Sequence, residues 1–252
     1  MSSLSVEERL AALEQRAEAA DAWRECLALV VKYETWHHYM TAERKLELFA
    51  LTMPDVCMTV SCWGSYVGKE ALEYLFGTVF KSSPNEGRGS MWIHCVDSPI
   101  IEVAKDGKTA KGLFFSPGAE AHWEPQNDGK VHSYWCWGRY SIDFIKENGV
   151  WKIWHMRWWR MFRNDFYKSW ADAADETARK APFKGRAVVE NTPHAEPVPI
   201  DFFQPYHPDK MTPVIPIHPE PYETWEEGSE DWPYGEWKDH YVNSAEKTPV
   251  EE

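Results

Sequence analysis

The stretch Met53-Pro54-Asp55-Val56, running on to Tyr66-Val67-Gly68-Lys69-Glu70-Ala71-Leu72, decides the fold. Pro54 ends one helix, because the residue before a proline is pushed out of the helical region. A strand is predicted over residues 56–63, a turn at Gly64, a strand end near Tyr66 and a new helix over residues 69–80. Upstream lies a helix with an aromatic, histidine-rich end, Tyr33-Glu34-Thr35-Trp36-His37-His38-Tyr39. Downstream come strands rich in Trp, Tyr, Ile and Val, which suit half-buried sheet surfaces. This order describes an α+β, cone-shaped barrel: a curved, mixed or antiparallel sheet packed on about three helices, with one partly polar pocket.

The first helix is expected over residues 6–40. Leu10, Leu13, Ala17 and Ala20 recur at three- and four-residue spacing, and Cys26, Leu27, Val30 and Val31 continue the apolar side. Ser5 followed by Glu8 makes a capping box. A second helix is expected over residues 42–51. Four strands are predicted at 91–96, 100–104, 109–116 and 132–145, with a hairpin turn at Lys105-Asp106-Gly107-Lys108. A second turn, Glu147-Asn148-Gly149, leads to a last strand over residues 150–162 and a short helix over residues 165–179. The domain organisation expected is a helical extension (1–20), the α+β domain (21–180) and an extended arm (181–252).

Charge divides the chain unevenly. The 252 residues carry a net charge of −13, and from Asn191 onward 14 acidic and 3 basic side chains give −11 of it. A nearly neutral body with an acidic tail lacks the basic footprint that nucleic acid requires. No apolar run approaches the ~18 residues of a membrane span. The N-terminus lacks a cationic start and an apolar core, so a cytoplasmic protein is expected. Cys26, Cys57, Cys62, Cys95 and Cys136 are odd in number and lack CxxC spacing, which favours reduced thiols. Beyond Asn191 lie 11 of the 17 prolines, together with Phe202, Phe203, Tyr206, Ile215, Trp225, Trp232 and Trp237. Disordered tails seldom hold so many aromatics, so this arm is expected to dock on the body or on a neighbouring subunit.

Strand alternation selects the candidate site residues. On the last strand it puts Trp151, Ile153, His155, Arg157 and Trp159 on one face, and on the strand before it Trp135, Trp137, Arg139, Ser141 and Asp143. His94 shares a face with Trp92. Tyr33 and His37, four apart, share a helical face. Each has a plainer structural reading: a hydrogen-bonded core histidine, an arginine paired at an interface, tryptophans as core.

In order and spacing, several segments resemble the SnoaL-like branch of the nuclear transport factor 2-like superfamily, over about residues 20–165. They are Leu29-Val30-Val31-Lys32-Tyr33, Pro54-Asp55-Val56, Gly64-Ser65-Tyr66-Val67-Gly68-Lys69-Glu70-Ala71, His94, Lys111-Gly112, Gly138-Arg139-Tyr140-Ser141-Ile142-Asp143-Phe144 and Asn148-Gly149-Val150-Trp151-Lys152-Ile153-Trp154-His155. The group includes cofactor-independent dehydratases, cyclases, isomerases and non-catalytic binding modules. Its dehydratases use a first-helix tyrosine, an acidic residue five positions later and a strand histidine. Tyr33 matches the tyrosine, His38 stands where the acid would be, and His94 resembles the strand histidine. The long form with its Pro/Trp-rich arm also resembles the bacterial diarylpropane γ-formaldehyde lyases, which convert lignin-derived diaryl compounds to stilbenes.

The resemblance implies a cofactor-independent lyase that removes water or formaldehyde from a small hydroxylated aromatic or polycyclic compound. Tyr33, His38 and His94 are the expected catalytic residues. His37, Trp63, Trp92, Arg139, His155, Arg157 and Trp159 are expected to bind substrate. No metal, cofactor, nucleic acid or membrane is expected, and a homo-oligomer, dimer or trimer, is. The alternatives are a non-catalytic binding or assembly module, a ketosteroid isomerase-like isomerase, and a metal enzyme using His37, His94, His122 or His155. Against the last, no HxH or HxxxH pair occurs on one element.

Overall fold

The computed structural model describes residues 4–60, 64–83, 85–124, 129–171, 205–208, 211–212 and 214–219. Helix α1 (Val6–Thr35) begins at the predicted capping box, where the Ser5 hydroxyl accepts from the Glu8 N–H and the Glu8 carboxylate accepts from the Ser5 N–H. It stops at Trp36, earlier than its apolar pattern suggested. Its first turns project past the body with Leu10 and Leu13 exposed, while Ala22, Cys26, Leu29, Val30 and Tyr33 enter the core. The second helix is a 3-10 segment, Ala42–Leu48. Helix α2 (Lys69–Tyr74) starts after Gly68 and runs into a π-helical turn, Leu75–Val79.

These three helical segments pack on one eight-stranded, mixed and open sheet. Its strands are β1 (Cys57–Val60), β2 (Gly64–Val67), β3 (Met91–His94), β4 (Asp97–Val103), β5 (Thr109–Ser116), β6 (Gly118–Glu124), β7 (Lys130–Glu147) and β8 (Val150–Asp165). The main path is β2-β1-β8-β7-β5-β4. Only β1 and β8 run parallel. Strand β7 serves two partners in turn: its first part pairs with β6, which carries β3, and its later part pairs with β5. Phe49, Phe76, Phe114, Tyr140, Ile142, Phe144, Ile153 and Met156 fill the space between sheet and helices.

Two differences from the sequence reading bear on the site. Strand β6 was not foreseen, because Gly118-Ala119-Glu120-Ala121-His122 has small or ionisable residues where a strand usually shows bulk. The short helix expected over residues 165–179 does not begin at Asp165, which ends β8 and is followed by a turn at Phe166–Lys168; residues 172–179 lie outside the described residues.

The simple alternation along β8 is also interrupted. Asp143 pairs with His155 and Phe144 with Ile153, which leaves Trp154 as an extra residue. Trp137 pairs with Phe162 and Gly138 with Arg160, which leaves Met161 extra. Each bulge reverses the side to which later side chains point. The face turned to the helices therefore carries Ile153, then Met156 and Trp158, then Arg163. His155, Arg157 and Trp159 lie on the opposite face, so the single continuous face expected from alternation is corrected.

Of the arm, Tyr206 donates its N–H to the Met161 carbonyl at 2.6 Å, and Ile215 is buried. Phe202, Phe203, Trp225, Trp232 and Trp237 lie outside the described residues.

Candidate active site

The end of α1 meets the β3–β6 wing over the first part of β7. Tyr33 is fully buried, with its ring edge-on to Phe49, Phe76, Tyr140 and His37. Its hydroxyl has no hydrogen-bond partner among the described residues. One residue on, the Glu34 carboxylate faces His37 Nδ1 at 3.5 Å, an ion-pair contact between side chains only 6% and 12% exposed. The His37 ring also lies against Phe80, Trp92 and His94, with centroids 5.3, 5.8 and 5.3 Å away.

Opposite stands a second imidazole–carboxylate pair. His94 Nε2 lies 3.4 Å from Glu120 Oε1, and its Nδ1 lies 3.4 Å from the Ser116 hydroxyl. Glu120 is a hub: its Oε2 accepts from Arg163 Nε at 2.9 Å and contacts His122 Nε2 at 3.0 Å. Trp92 Nε1 can only donate and reaches His122 Nδ1 at 3.3 Å. That fixes the His122 proton on Nε2, toward Glu120. Arg163 covers the Tyr134 ring at 3.6 Å, and Trp158 packs edge-on to His94 at 5.5 Å.

The two histidines are driven apart electrostatically. Burial lowers His37, helped by the Lys45 charge and opposed by Glu34, to about 4. Burial also pulls on His94, but its hydrogen bond to the Glu120 carboxylate and the charges of Glu34 and Glu120 outweigh it and leave His94 raised. Glu120 would be raised by burial, yet Arg163, His122 and His94 hold it well below the usual carboxylate range. Glu34 is likewise held low, despite its burial, by His37, His94 and Tyr140. Two imidazoles thus lie side by side with their proton affinities shifted in opposite directions.

Gly118 makes the close approach of His94 possible. A Cβ there would lie 2.5 Å from His94 Nδ1 and 2.7 Å from the carbonyl oxygens of Cys136 and Ile93. The two carbonyls belong to paired backbone and cannot swing aside. Gly118→Ala is therefore expected to cost roughly 1–3 kcal/mol in chemical denaturation and to displace His94.

The expected residues divide between the two faces of the sheet. Tyr33, His37, Trp92 and His94 come together in one packed cluster. His38 does not: α1 has ended at Trp36, and the His38 side chain is exposed, with Nδ1 accepting from the Met40 N–H at 3.1 Å. Arg139, His155, Arg157 and Trp159 are on the far face. There Arg139 lies over Phe115 and donates to the Ile215 carbonyl, His155 sits between Asp143 (2.8 Å) and Asp55 (3.3 Å), Arg157 covers the Trp159 ring, and Trp159 donates to Ser141. The expected grouping of these four with Tyr33 and His94 is corrected: they stand on the other face of the sheet, and the β8 bulges are the reason for His155, Arg157 and Trp159. Trp63 lies outside the described residues.

Glu34, Lys45, Glu120 and Arg163 were missed. Glu34 had a signal, three residues before His37 on one helix. Glu120 and Arg163 had none, since they lie on an unforeseen strand and beyond an expected strand end.

His94, Glu120 and Cys136 also bring three ligand-type atoms within 4.8 Å of one another. Arg163 already occupies the Glu120 carboxylate. Burial, with Glu120 nearby, pushes the Cys136 thiol well up, away from the thiolate a metal needs. The arrangement suits proton transfer better than metal binding.

Residues 18–157, more than half of the chain, match the SnoaL-like domain family. The chain belongs to that family. Many solved structures are similar to it, among them the following three. One is a protein assigned as a scytalone dehydratase from Novosphingobium aromaticivorans, with 14% identity, 65% of this chain and 93% of that one covered, and a TM-score of 0.46. Another is a type-3 hexachlorocyclohexane dehydrochlorinase from Novosphingobium barchaimii, with 16% identity, 64% and 96% covered, and a TM-score of 0.46. The third is a protein from Novosphingobium aromaticivorans described as NTF2-like with a cystatin-like fold, with 18% identity, 68% and 95% covered, and a TM-score of 0.41. None of the curated proteins matches the chain. No described helix of this SnoaL-like protein is long and apolar enough to cross a membrane.

Proposed function

We propose that this SnoaL-like protein is a cofactor-independent lyase that eliminates water, alone or with formaldehyde, from a small hydroxylated aromatic compound. One observation carries the reading: two buried imidazole–carboxylate pairs, His37–Glu34 and His94–Glu120, stand side by side with opposite proton affinities. Titratable neighbours driven apart in this way are the mark of an acid and a base. Neutral His37 takes a proton from the substrate, and protonated His94 gives one to the departing hydroxyl. Tyr33 offers its unpartnered hydroxyl to a substrate oxygen. Tyr33, Phe80, Trp92 and Trp158 supply aromatic walls.

The same pair serves two eliminations. In a dehydration His37 removes a C–H proton, the electron pair forms the new double bond, and the hydroxyl leaves as water with the proton from His94. In a 1,3-diol His37 takes the terminal hydroxyl proton, and the oxygen forms the carbonyl of formaldehyde. The carbon–carbon bond then supplies the double bond, and the second hydroxyl leaves as water. Product analysis on an aryl β-hydroxy ketone and a 1,2-diaryl-1,3-propanediol separates the two. Absence of turnover with tight binding favours a non-catalytic module instead.

The kcat/KM profile tests the roles. His37 must be neutral and His94 protonated, so activity is expected to fall below about pH 4 as His37 gains its proton. It falls again above the ordinary histidine value of 6.5 as His94 loses its own. A rate that keeps rising through this upper limit would sink the role of His94 as acid.

A further inference from the structure

A buried amine that the elimination does not use stands against the same cluster, on the Tyr33 and Phe80 rings. Lys45 lies in the 3-10 segment Ala42–Leu48 and is completely buried. Its neighbours behave otherwise: Arg44 meets Glu47, and Glu43 meets Lys81, with three of these four side chains more than half exposed. A lysine normally keeps its head in water and buries only its stem. Here Nζ points inward, 4.3 Å from the Tyr33 ring centroid, 4.5 Å from Phe80 and 5.6 Å from Phe76. It has no hydrogen-bond acceptor among the described residues.

A buried ammonium without an acceptor is costly. The ring faces and the Glu34 charge offset part of that cost, but burial dominates and lowers Lys45 to about 7. Much of the side chain is then the free amine near neutral pH. A desolvated lysine amine is the form that condenses with carbonyl compounds. The rings around it suit a flat aromatic partner.

We propose that Lys45 is a carbonyl-capturing residue, whose Nζ forms a Schiff base with a small aryl aldehyde or ketone. The nitrogen lone pair makes the new C–N bond as the carbonyl π-bond opens. The oxygen then departs as water with the two amine hydrogens, leaving C=N and no change in oxidation state. The inference rests on the same pocket as the proposed elimination but on separate chemistry, so the two can fail independently.

The test traps the bond by reduction. Full-length protein is incubated at pH 7 with 4-hydroxybenzaldehyde and sodium cyanoborohydride, and adducts are mapped by peptide mass spectrometry. Lys45 is expected to label at least ~10-fold faster than any other lysine, because an ordinary lysine near pKa 10.4 keeps only about one part in 2,500 as free amine at that pH. Lys45→Met and Lys45→Arg should lose that adduct alone, and His94→Ala should retain it. Wild-type protein labelled at surface lysines but not at Lys45, or at Lys45 no faster than elsewhere, overturns the proposal without needing a variant. Trapping at Lys45 in a protein that eliminates nothing supports this inference and sinks the lyase reading. Elimination without trapping does the reverse.

Discussion

His94→Ala is expected to lower turnover about 10²–10⁴-fold, the scale of lost general acid–base catalysis. His37→Ala should fall by a similar factor. The double variant should be little worse than either single one, because the two act in one proton circuit and such effects do not add. His38→Ala is the control: its side chain is exposed and outside the pocket, so its turnover should stay near wild type. The comparison is decisive because His38 and not His37 stands at the position the family resemblance marked for the acid. Strong loss in His38→Ala with normal turnover in His37→Ala would return the role to the sequence-based assignment. His37→Ala leaves the buried Glu34 carboxylate without its imidazole, so a lower melting temperature is expected there and turnover is compared at a temperature where every variant is folded.

The largest effect on stability is expected at Glu120. Its carboxylate faces Arg163, His122 and His94 at once. Glu120→Ala removes the carboxylate that faces the Arg163 guanidinium and takes from His94 the carboxylate beside its Nε2. Breaking a buried pair on one side costs about 3–5 kcal/mol. Arg163 retains 27% side-chain exposure, so the lower end of that range, about 3 kcal/mol, is expected. The sign with pH follows from the lowered Glu120. Its contribution is complete above the ordinary carboxylate value of 4.5 and is lost as pH falls through its depressed one. Wild type and Glu120→Ala should therefore converge in denaturation midpoint only in strong acid. Glu120→Gln keeps the shape but not the charge, and should move the alkaline limb of the activity profile to lower pH. An unchanged alkaline limb would mean that Glu120 supports the fold without tuning His94.

Much of the architecture was legible because local rules and global packing agree. Pro54, Gly64 and Gly68 punctuate the helix–strand–strand–helix passage where the structure has it, and strand β5 coincides with its predicted range. The capping box at Ser5 set the start of α1 correctly. Strand β6 escaped notice because its inward positions, Gly118, Glu120 and His122, carry no apolar bulk. The face of β8 was misread for a different cause. Alternation is a statement about an unbroken ladder, and nothing in Trp154 or Met161 announces an extra residue in it. At the end of α1, spacing from Tyr33 pointed to His38, whereas termination of the helix at Trp36 leaves His37 as the inward histidine. Lys45 was invisible for the simplest reason: a lysine between Arg44 and Leu46 reads as surface until its burial is seen.

The two bulges of β8 have a consequence for how such a pocket changes over generations. Between Trp154 and Met161 the strand is held one step out of phase with its flanks. Loss of the codon for Trp154 would leave Ile153 and His155 adjacent and still opposite Phe144 and Asp143, so the bulge would vanish while Met156 and Trp158 stayed inward and His155, Arg157 and Trp159 outward. The same holds for loss of Met161, between Arg160 and Phe162. At these two points the strand can shorten by one residue without exchanging its inward and outward side chains, so lineages of this fold are free to vary its length where they are not free to vary its phase.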